Sequence, residues 1–332
     1  MRKYTYLFAV VLLVFVLAGC SSTDSDDPLN GSGDLAISLA DAPVNNIKEV
    51  NVTISEVQVC REDENGEEYW ETINDFADQG GEATFDLLTL RFDEELLGLK
   101  TLPAGLYKQI RLIVAAKEDD NNSGPKIGKS YVVYENKDED DIFIPSGQQS
   151  GLKIKHKFLI EDGSTTRLLL DVDVREFIHA AGKSGLIILQ SNSIKIVDKT
   201  TSGSAYGRVF VDVDGDGTVD EEPVDNPDGK PDEVLTSTNQ DVVIEAVNND
   251  DEVVASTVAT NEEVDNKKIG SYLLRGLTPG DYIIKASVME DTDDDGELEK
   301  VTDYTLEEEK TVTITAGEST KVESLILLQS VK

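Results

Sequence analysis

Apolar and polar residues alternate along most of this chain in short, punctuated runs. Leu35, Ile37 and Leu39 alternate with Asp34, Ala36 and Ser38, and Val50, Val52 and Ile54 keep the same two-residue period. That period puts successive side chains on opposite faces of a strand. Val57 and Val59 carry on with the opposite parity, so a bulge is expected near Ser55-Glu56. Further strands are expected at 68–73, 83–90, 107–115, 131–134, 152–160, 165–174 and 186–197. Short helical turns are expected at 91–98 and 175–181. The acid-rich segments 118–122 and 135–141 read as solvated loops.

The run Asp198 to Ser204, DKTTSGS, has the composition of a linker. Beyond it a second β pattern begins, with strands expected at 206–211, 242–247, 253–260, 271–275, 282–289, 311–315 and 321–328. Seven short strands separated by turn signals point to a β-sandwich. The predicted fold class is all-β, with two β-sandwich-type domains in tandem, 33–197 and 205–332, joined by 198–204. Long amphipathic helical periods are scarce.

The N-terminus breaks this pattern. Arg2 and Lys3 precede an uncharged apolar run, 4–16, which ends in Leu17-Ala18-Gly19-Cys20 and Ser21-Ser22. This resembles the lipobox of a bacterial lipoprotein signal peptide. The resemblance implies cleavage after residue 19 and lipid attachment at Cys20. A membrane-spanning helix is the alternative; the run is short for one, and small residues precede the cysteine. Residues 20–32 are polar and read as a flexible tether. Within it, Ser25-Asp26-Asp27 resembles the acidic stretch of some surface-exported lipoproteins. The expected location is the cell envelope, lipid-anchored, at the outer membrane, with surface exposure left open.

Charge narrows the range of partners. The 332 residues carry 66 acids against 30 bases, a formal charge of −36. Such a chain is repelled by nucleic acid and by anionic headgroups, and it attracts cations. Of its two cysteines, Cys20 is committed to lipid, so Cys60 is expected to be a free, partly buried thiol. Two histidines, His156 and His179, are too few for a His-rich zinc site. Asp171 and Asp173 share a strand face and are expected to pair with Lys153 or Lys155; an acid/base role for the two carboxylates is the alternative. There is no Ser-His-Asp order and no nucleophile elbow, so no enzyme is expected.

Two family resemblances follow. The pieces Gly33-Asp34-Leu35, Ser38-Leu39-Ala40-Asp41-Ala42-Pro43, Phe85-Asp86-Leu87-Leu88, Leu102-Pro103-Ala104-Gly105-Leu106-Tyr107 and Leu170-Asp171-Val172-Asp173 resemble, in order, the DUF4382 family. That resemblance implies an extracellular setting and brings no activity. Gly207-Arg208-Val209-Phe210, Gly270 to Leu277 and Thr278-Pro279-Gly280-Asp281-Tyr282 resemble the Ig-like, transthyretin-like modules of bacterial surface proteins, including carboxypeptidase-regulatory-like and adhesin B-repeat domains. Those modules serve as spacers or binding units.

The strongest chemical motif lies in the second domain. Asp212, Asp214, Asp216, Thr218 and Asp220 fall at positions one, three, five, seven and nine of a loop with Gly217 at six. Alternate oxygen ligands and a glycine at the bend are what an EF-hand-type calcium loop needs. The closing position is Pro223, and Glu222 comes one residue early. Asp225, Asp228 and Asp232 offer a second, irregular set. Asp291, Asp293, Asp295, Glu297 and Glu299 repeat the plan with Gly296 at six. A solvated acidic hairpin is the alternative for both. Segment 212–233 holds ten acids and the single base Lys230, so without a cation it repels itself. If strands reverse direction in turn, both loops fall at the end of the second domain that points away from the first.

The expected function is therefore a non-enzymatic cell-envelope lipoprotein. It would present calcium-stabilised β-modules for extracellular interaction or adhesion. Its partners would be the membrane, through the Cys20 lipid, and an extracellular protein or glycan, with no nucleic acid. The alternative is a carbohydrate-binding accessory of a polysaccharide-using system. Tyr69-Trp70 is expected to pack in a core rather than form a sugar platform.

Overall fold

The computed structural model describes residues 31–42, 47–62, 66–115, 129–134, 136–144, 150–174, 187–212, 240–260, 270–290 and 299–330. These residues are all-β, and twenty-two strands form four sheets. The first module holds β1 (Ser32–Ala42), β2 (Ile47–Glu62), β3 (Glu68–Asn74), β4 (Ala83–Asp86), β5 (Glu95–Pro103) and β6 (Gly105–Val114). It continues with β7 (Tyr131–Tyr134), β8 (Glu139–Phe143), β9 (Leu152–Ile160), β10 (Thr165–Asp173), β11 (Ile187–Ile188) and β12 (Ile194–Asp198). One sheet runs β12-β10-β1-β5; the facing sheet runs β11-β8-β7-β2-β6-β9, with β3 and β4 also paired to β2.

Leu35, Ile37 and Leu39 of β1 meet Val50, Val52, Ile54, Val57 and Val59 of β2 in a single core. The bulge expected in β2 is present, because the β2–β6 register slips between Ile54 and Glu56. The slip returns Val57 and Val59 to the core side.

Four local expectations are corrected. Residues 91–98 are not a helical turn: they are a bend followed by β5. The apolar pattern misleads there because Leu96 and Leu99 are 53% and 59% exposed while Leu97 and Leu102 are buried. Gly98 lets β5 run close to β3, since a Cβ there would lie 2.9 Å from the Ile73 side chain. The acidic stretch at 135–141 contributes β8, held by its hairpin with β7 and by buried Ile142. Residues 83–90 are half strand, ending in a 3-10 turn at Leu87–Leu90 whose Leu88 N–H donates to Asp86. Residues 186–197 divide into β11, a 3-10 turn and β12. The turn expected at 175–181 lies outside the described residues.

The second module holds β13 (Gly203–Val211), β14 (Gln240–Val247), β15 (Val253–Val258), β16 (Ser271–Leu277) and β17 (Gly280–Glu290). It ends with β18 (Glu299–Lys300), β19 (Tyr304–Leu306), β20 (Lys310–Ile314), β21 (Ser319–Lys321) and β22 (Leu325–Gln329). Its sheets run β16-β13-β22-β19, with β21 on β13, and β15-β14-β17-β18, with β20 on β17. Val209, Val211, Leu274, Leu325 and Leu327 of the first sheet face Val242, Ile244, Ile284, Val288 and Ile314 of the second. Residues 199–202 join the modules as a hydrogen-bonded turn: Lys199 N–H donates to Arg167 O and Ser202 N–H to Asp198 O.

Both modules use one turn device. Leu102-Pro103-Ala104-Gly105-Leu106-Tyr107 and Leu277-Thr278-Pro279-Gly280-Asp281-Tyr282 share the spacing Leu-x-x-Gly-x-Tyr. The leucines are each 1% exposed. The Tyr107 hydroxyl donates to Pro103 O at 3.1 Å and the Tyr282 hydroxyl to Thr278 O at 2.8 Å. Each ring thus fills the core while its hydroxyl ties down the turn that precedes the strand. Burial pushes the Tyr107 phenol up to about 12, so it stays a donor at physiological pH. Tyr107→Phe is expected to cost about 1 kcal/mol in denaturant unfolding, for one lost hydrogen bond, and Tyr282→Phe more, because its hydroxyl also meets Thr278 Oγ1 at 2.8 Å. Tyr107→Ala is expected to cost about 3–5 kcal/mol, for the cavity it leaves.

Candidate functional site

Strand direction defines two ends of the second module. β13 leaves toward one end and β14 returns from it, because β17 runs antiparallel to β14 and β16 antiparallel to β13. The described residues on either side of 213–239, 261–269 and 291–298 therefore all lie at that end, while the short turns after β14 and β16 lie at the other. Of the acids expected to bind calcium, Asp212 is fully buried at the end of β13, its N–H donating to Leu327 O at 2.8 Å. Glu299 is exposed on β18, in register with Glu290. The Tyr304 phenol is pushed up by burial and by the negative charges of Asp303, Asp212 and Glu290, so these acids share one neighbourhood. Asp214, Asp216, Thr218, Asp220, Glu222, Asp291, Asp293, Asp295 and Glu297 lie outside the described residues, as does Cys20. Among the described residues no group of three or more His, Cys, Asp or Glu side chains is placed to hold a metal.

The opposite end of the second module docks on the first through Arg275. Its guanidinium, on β16, is 10% exposed. Nη1 donates to Asp41 O at 3.0 Å and to Asp171 Oδ1 at 3.4 Å. Nη2 reaches the carbonyls of Arg91 at 2.8 Å, and of Leu90 and Asp93 at 3.3 Å. Next to it Gly276 has φ +69°, and a Cβ there would lie 2.9 Å from Val197. No side chain fits at that contact. Ala40, Leu169 and Val197 form a small buried cluster on the same outer face of the first module. A salt bridge from Lys199 to Glu94 at 2.6 Å flanks the junction. Beside it is a cleft of about 340 Å³ lined by Phe92, Leu169, Val197, Leu273 and Arg275.

The pairing expected for Asp171 and Asp173 is corrected. Lys153 and Lys155 lie on β9 in the other sheet, and Asp171 faces Arg275, with Lys195 as its strand partner. Asp41, which sequence reading took only as a turn residue, is fully buried, and neither carboxyl oxygen has a hydrogen-bond partner among the described residues. Burial pushes its carboxyl well above the usual range. Arg91 and Arg275 oppose that rise, while Asp171 and Asp173 reinforce it. Burial also raises Asp171, against the pull of Arg275.

Residues 32–191 match the model of a domain of unknown function, DUF4382. No curated protein is detectably similar in sequence. Among solved structures, the chain is similar to the Bacillus anthracis TIE protein (16% identity, 89% of this chain and 34% of that chain, TM-score 0.21). It is also similar to GBS52, the minor pilin of Streptococcus agalactiae (15%, 90% and 98%, TM-score 0.20). A third is the shaft pilin SpaA of Lactobacillus rhamnosus GG (7%, 91% and 99%, TM-score 0.19). The chain spans about a third of the TIE protein. None of these likenesses bears on function.

The first module continues past the matched segment, because β12 pairs with β10 and buries Ile194 and Val197. Every group that receives Arg275 lies within the matched residues 32–191. Cys60, in β2, is a free and fully buried thiol whose pKa burial raises, as expected of a small apolar residue. Trp70 departs from expectation: it is only half-buried on the outer sheet face, and neighbouring Tyr69 is 45% exposed.

Two outcomes follow from the junction. Arg275→Ala strands buried carbonyls and Asp171, so it is expected to cost about 3–5 kcal/mol and to separate the calorimetric unfolding of the two modules. Arg275→Lys is expected to recover only part of this, because an ammonium cannot span the five acceptors. For Asp41 the raised folded pKa means that its ionised form works against folding. Its contribution is complete below about pH 4 and is lost as pH rises through the raised value. Asp41→Asn is expected to unfold at the same temperature as wild type near the acid limit and at a higher one above that window.

Proposed function

We propose that this chain is a non-enzymatic lipoprotein of the cell envelope, anchored through Cys20, which carries its β-modules outward and ends in a calcium-binding tip. One observation carries the reading: Arg275 lies at the end of the second module opposite Asp212, and at the end of β1 opposite Ser32. Ser32 opens β1, Arg275 engages the other end of β1 at Asp41, and the second module leaves from there toward Asp212. A residue rise of about 3.3 Å makes β1 alone roughly 35 Å of spacer. The signal-like run ending at Cys20 supports the anchor. The alternate oxygen ligands at Asp212–Asp220 and Asp291–Glu299 support the cation. A junction closed by Arg275 suits a chain that must hold its tip at a set distance from a membrane.

A hard cation with oxygen ligands and loose geometry fits calcium better than magnesium, and extracellular calcium modules work at about 10⁻⁴–10⁻³ M. With free calcium at about 100 Kd, one site adds about 2.7 kcal/mol, so the second module should melt roughly 10 °C higher in calcium than in chelator. Equal melting temperatures would remove the cation from the reading. For the anchor, mass spectrometry of the wild-type protein is expected to find lipid on an N-terminal Cys20 peptide. Cys20→Ser is expected to accumulate as unprocessed precursor.

A further inference from the structure

Four strands of the first module, in the order β3-β2-β6-β9, turn a continuous face outward. Their other face buries Val57, Val59, Ile110, Leu112, Ile154 and Phe158 in the core. Strand register builds rows across the outward face. One reads Trp70, Cys60, Gln109, Lys155; the next reads Thr72, Gln58, Arg111, Lys153. Further along, Leu106 faces Leu159, 57% and 40% exposed. Lys153, Lys155 and Lys157 alternate along β9 and all are exposed.

Four cations of this face stand close together beside one indole. Lys108, on β6 itself, pairs with Glu62 and Glu68 of β2 and β3, and elsewhere Lys100, Lys129, Lys199, Lys285 and Lys310 each pair with a glutamate. Arg111, Lys153, Lys155 and Lys157 pair with no carboxylate among the described residues, in a sequence with more than two acids per base. The Arg111 guanidinium lies 3.8 Å from the Trp70 ring centroid and the Lys153 ammonium 5.7 Å, so two cations share one indole. They are also directly opposed across β6 and β9, an arrangement that costs energy unless an anion sits between. Arg111 Nε donates to the Gln58 side-chain oxygen, and the Gln58 amide in turn donates to Glu56, which holds Arg111 in place without neutralising it. Lysines on an edge strand guard against strand addition, and that accounts for β9. It does not account for Arg111 on β6 or for Trp70 on β3.

We propose that this face binds an acidic polysaccharide, with Arg111 and Lys153 taking carboxylates beside Trp70 and with Lys155 and Lys157 following the polymer. Alternate residues of a strand stand about 6.6 Å apart, so three lysines track roughly 13 Å of an extended polyanion rather than one small ion. An indole ring beside cations suits a ligand whose rings carry both apolar C–H faces and acidic groups. The choice of a glycan over a nucleic acid rests on the export reading above; the face itself requires neither the lipid nor calcium.

The test is calorimetric titration of the full chain with polygalacturonate, at low and at physiological ionic strength. Dextran, single-stranded DNA and anionic phospholipid vesicles are titrated in parallel. Saturable binding to polygalacturonate that weakens with salt and is absent for dextran is expected. Lys153→Glu with Lys155→Glu, both on the exposed edge and leaving the unfolding midpoint unchanged, is expected to weaken it about ten-fold or more. Lys285→Glu with Lys321→Glu, which changes net charge equally in the second module, is expected to leave it unchanged. Trp70→Phe is expected to weaken it less than the charge reversals. No binding, or equal weakening by both double variants, overturns the site. Tighter binding of DNA or vesicles through the same residues overturns the glycan. Failure of the export reading would show separately, as an absence of lipid on Cys20.

Discussion

A buried guanidinium keeps its charge at every physiological pH and presents its N–H groups in a fixed plane, so it is stable only where acceptors already wait in that plane. Arg275 meets that condition because the first module turns out carbonyls from Asp41, Leu90, Arg91 and Asp93 together with the Asp171 carboxylate. The geometry is one-sided: the second module supplies the donor, and three separate segments of the first supply the acceptors. Neither module can shift without exposing unpaired polar groups, which is costly where water is excluded. The glycine at 276 and the small cluster of Ala40, Leu169 and Val197 let the two backbones come close enough for that contact.

Charge is distributed by end and by face. Acids dominate the chain, and buried Asp212, half-buried Glu290 and exposed Glu299 lie at the end of the second module remote from Arg275. Arg111, Lys153, Lys155 and Lys157 instead stand together on the outer face of the first module, beside Trp70. Within about one Debye length, roughly 8 Å at physiological ionic strength, a ligand feels the local patch and not the net charge of −36. One molecule can therefore attract cations at its tip and anions on its flank.

Much of the strand content was legible in the sequence. Two-residue alternation placed β2, β7, β9, β10, β14 and β17, and the change of parity at Ser55-Glu56 located the bulge of β2. The misses share a cause. β5 carries Leu96 and Leu99 outward, so its apolar residues do not alternate; β8 is acidic and owes its pairing to β7; and 186–197 breaks at a 3-10 turn within an apolar run. Trp70 was misread for a related reason. An aromatic on a strand reads as core unless its row is known, and its row is set by pairing with Cys60.

What the sequence determined by itself is whatever depends on neighbours a few residues apart. That covers strand periods, turns, the repeated Leu-x-x-Gly-x-Tyr spacing, the charge balance, and the oxygen spacing that suggests calcium. The tertiary structure alone decided the long-range pairings: β1 parallel to β10, β13 parallel to β21 and β22, Asp171 facing Arg275 rather than a lysine of β9, and Arg111 over Trp70. Those contacts join residues tens to hundreds of positions apart. Their energies depend on register, sheet order and burial, and no local window of sequence contains these.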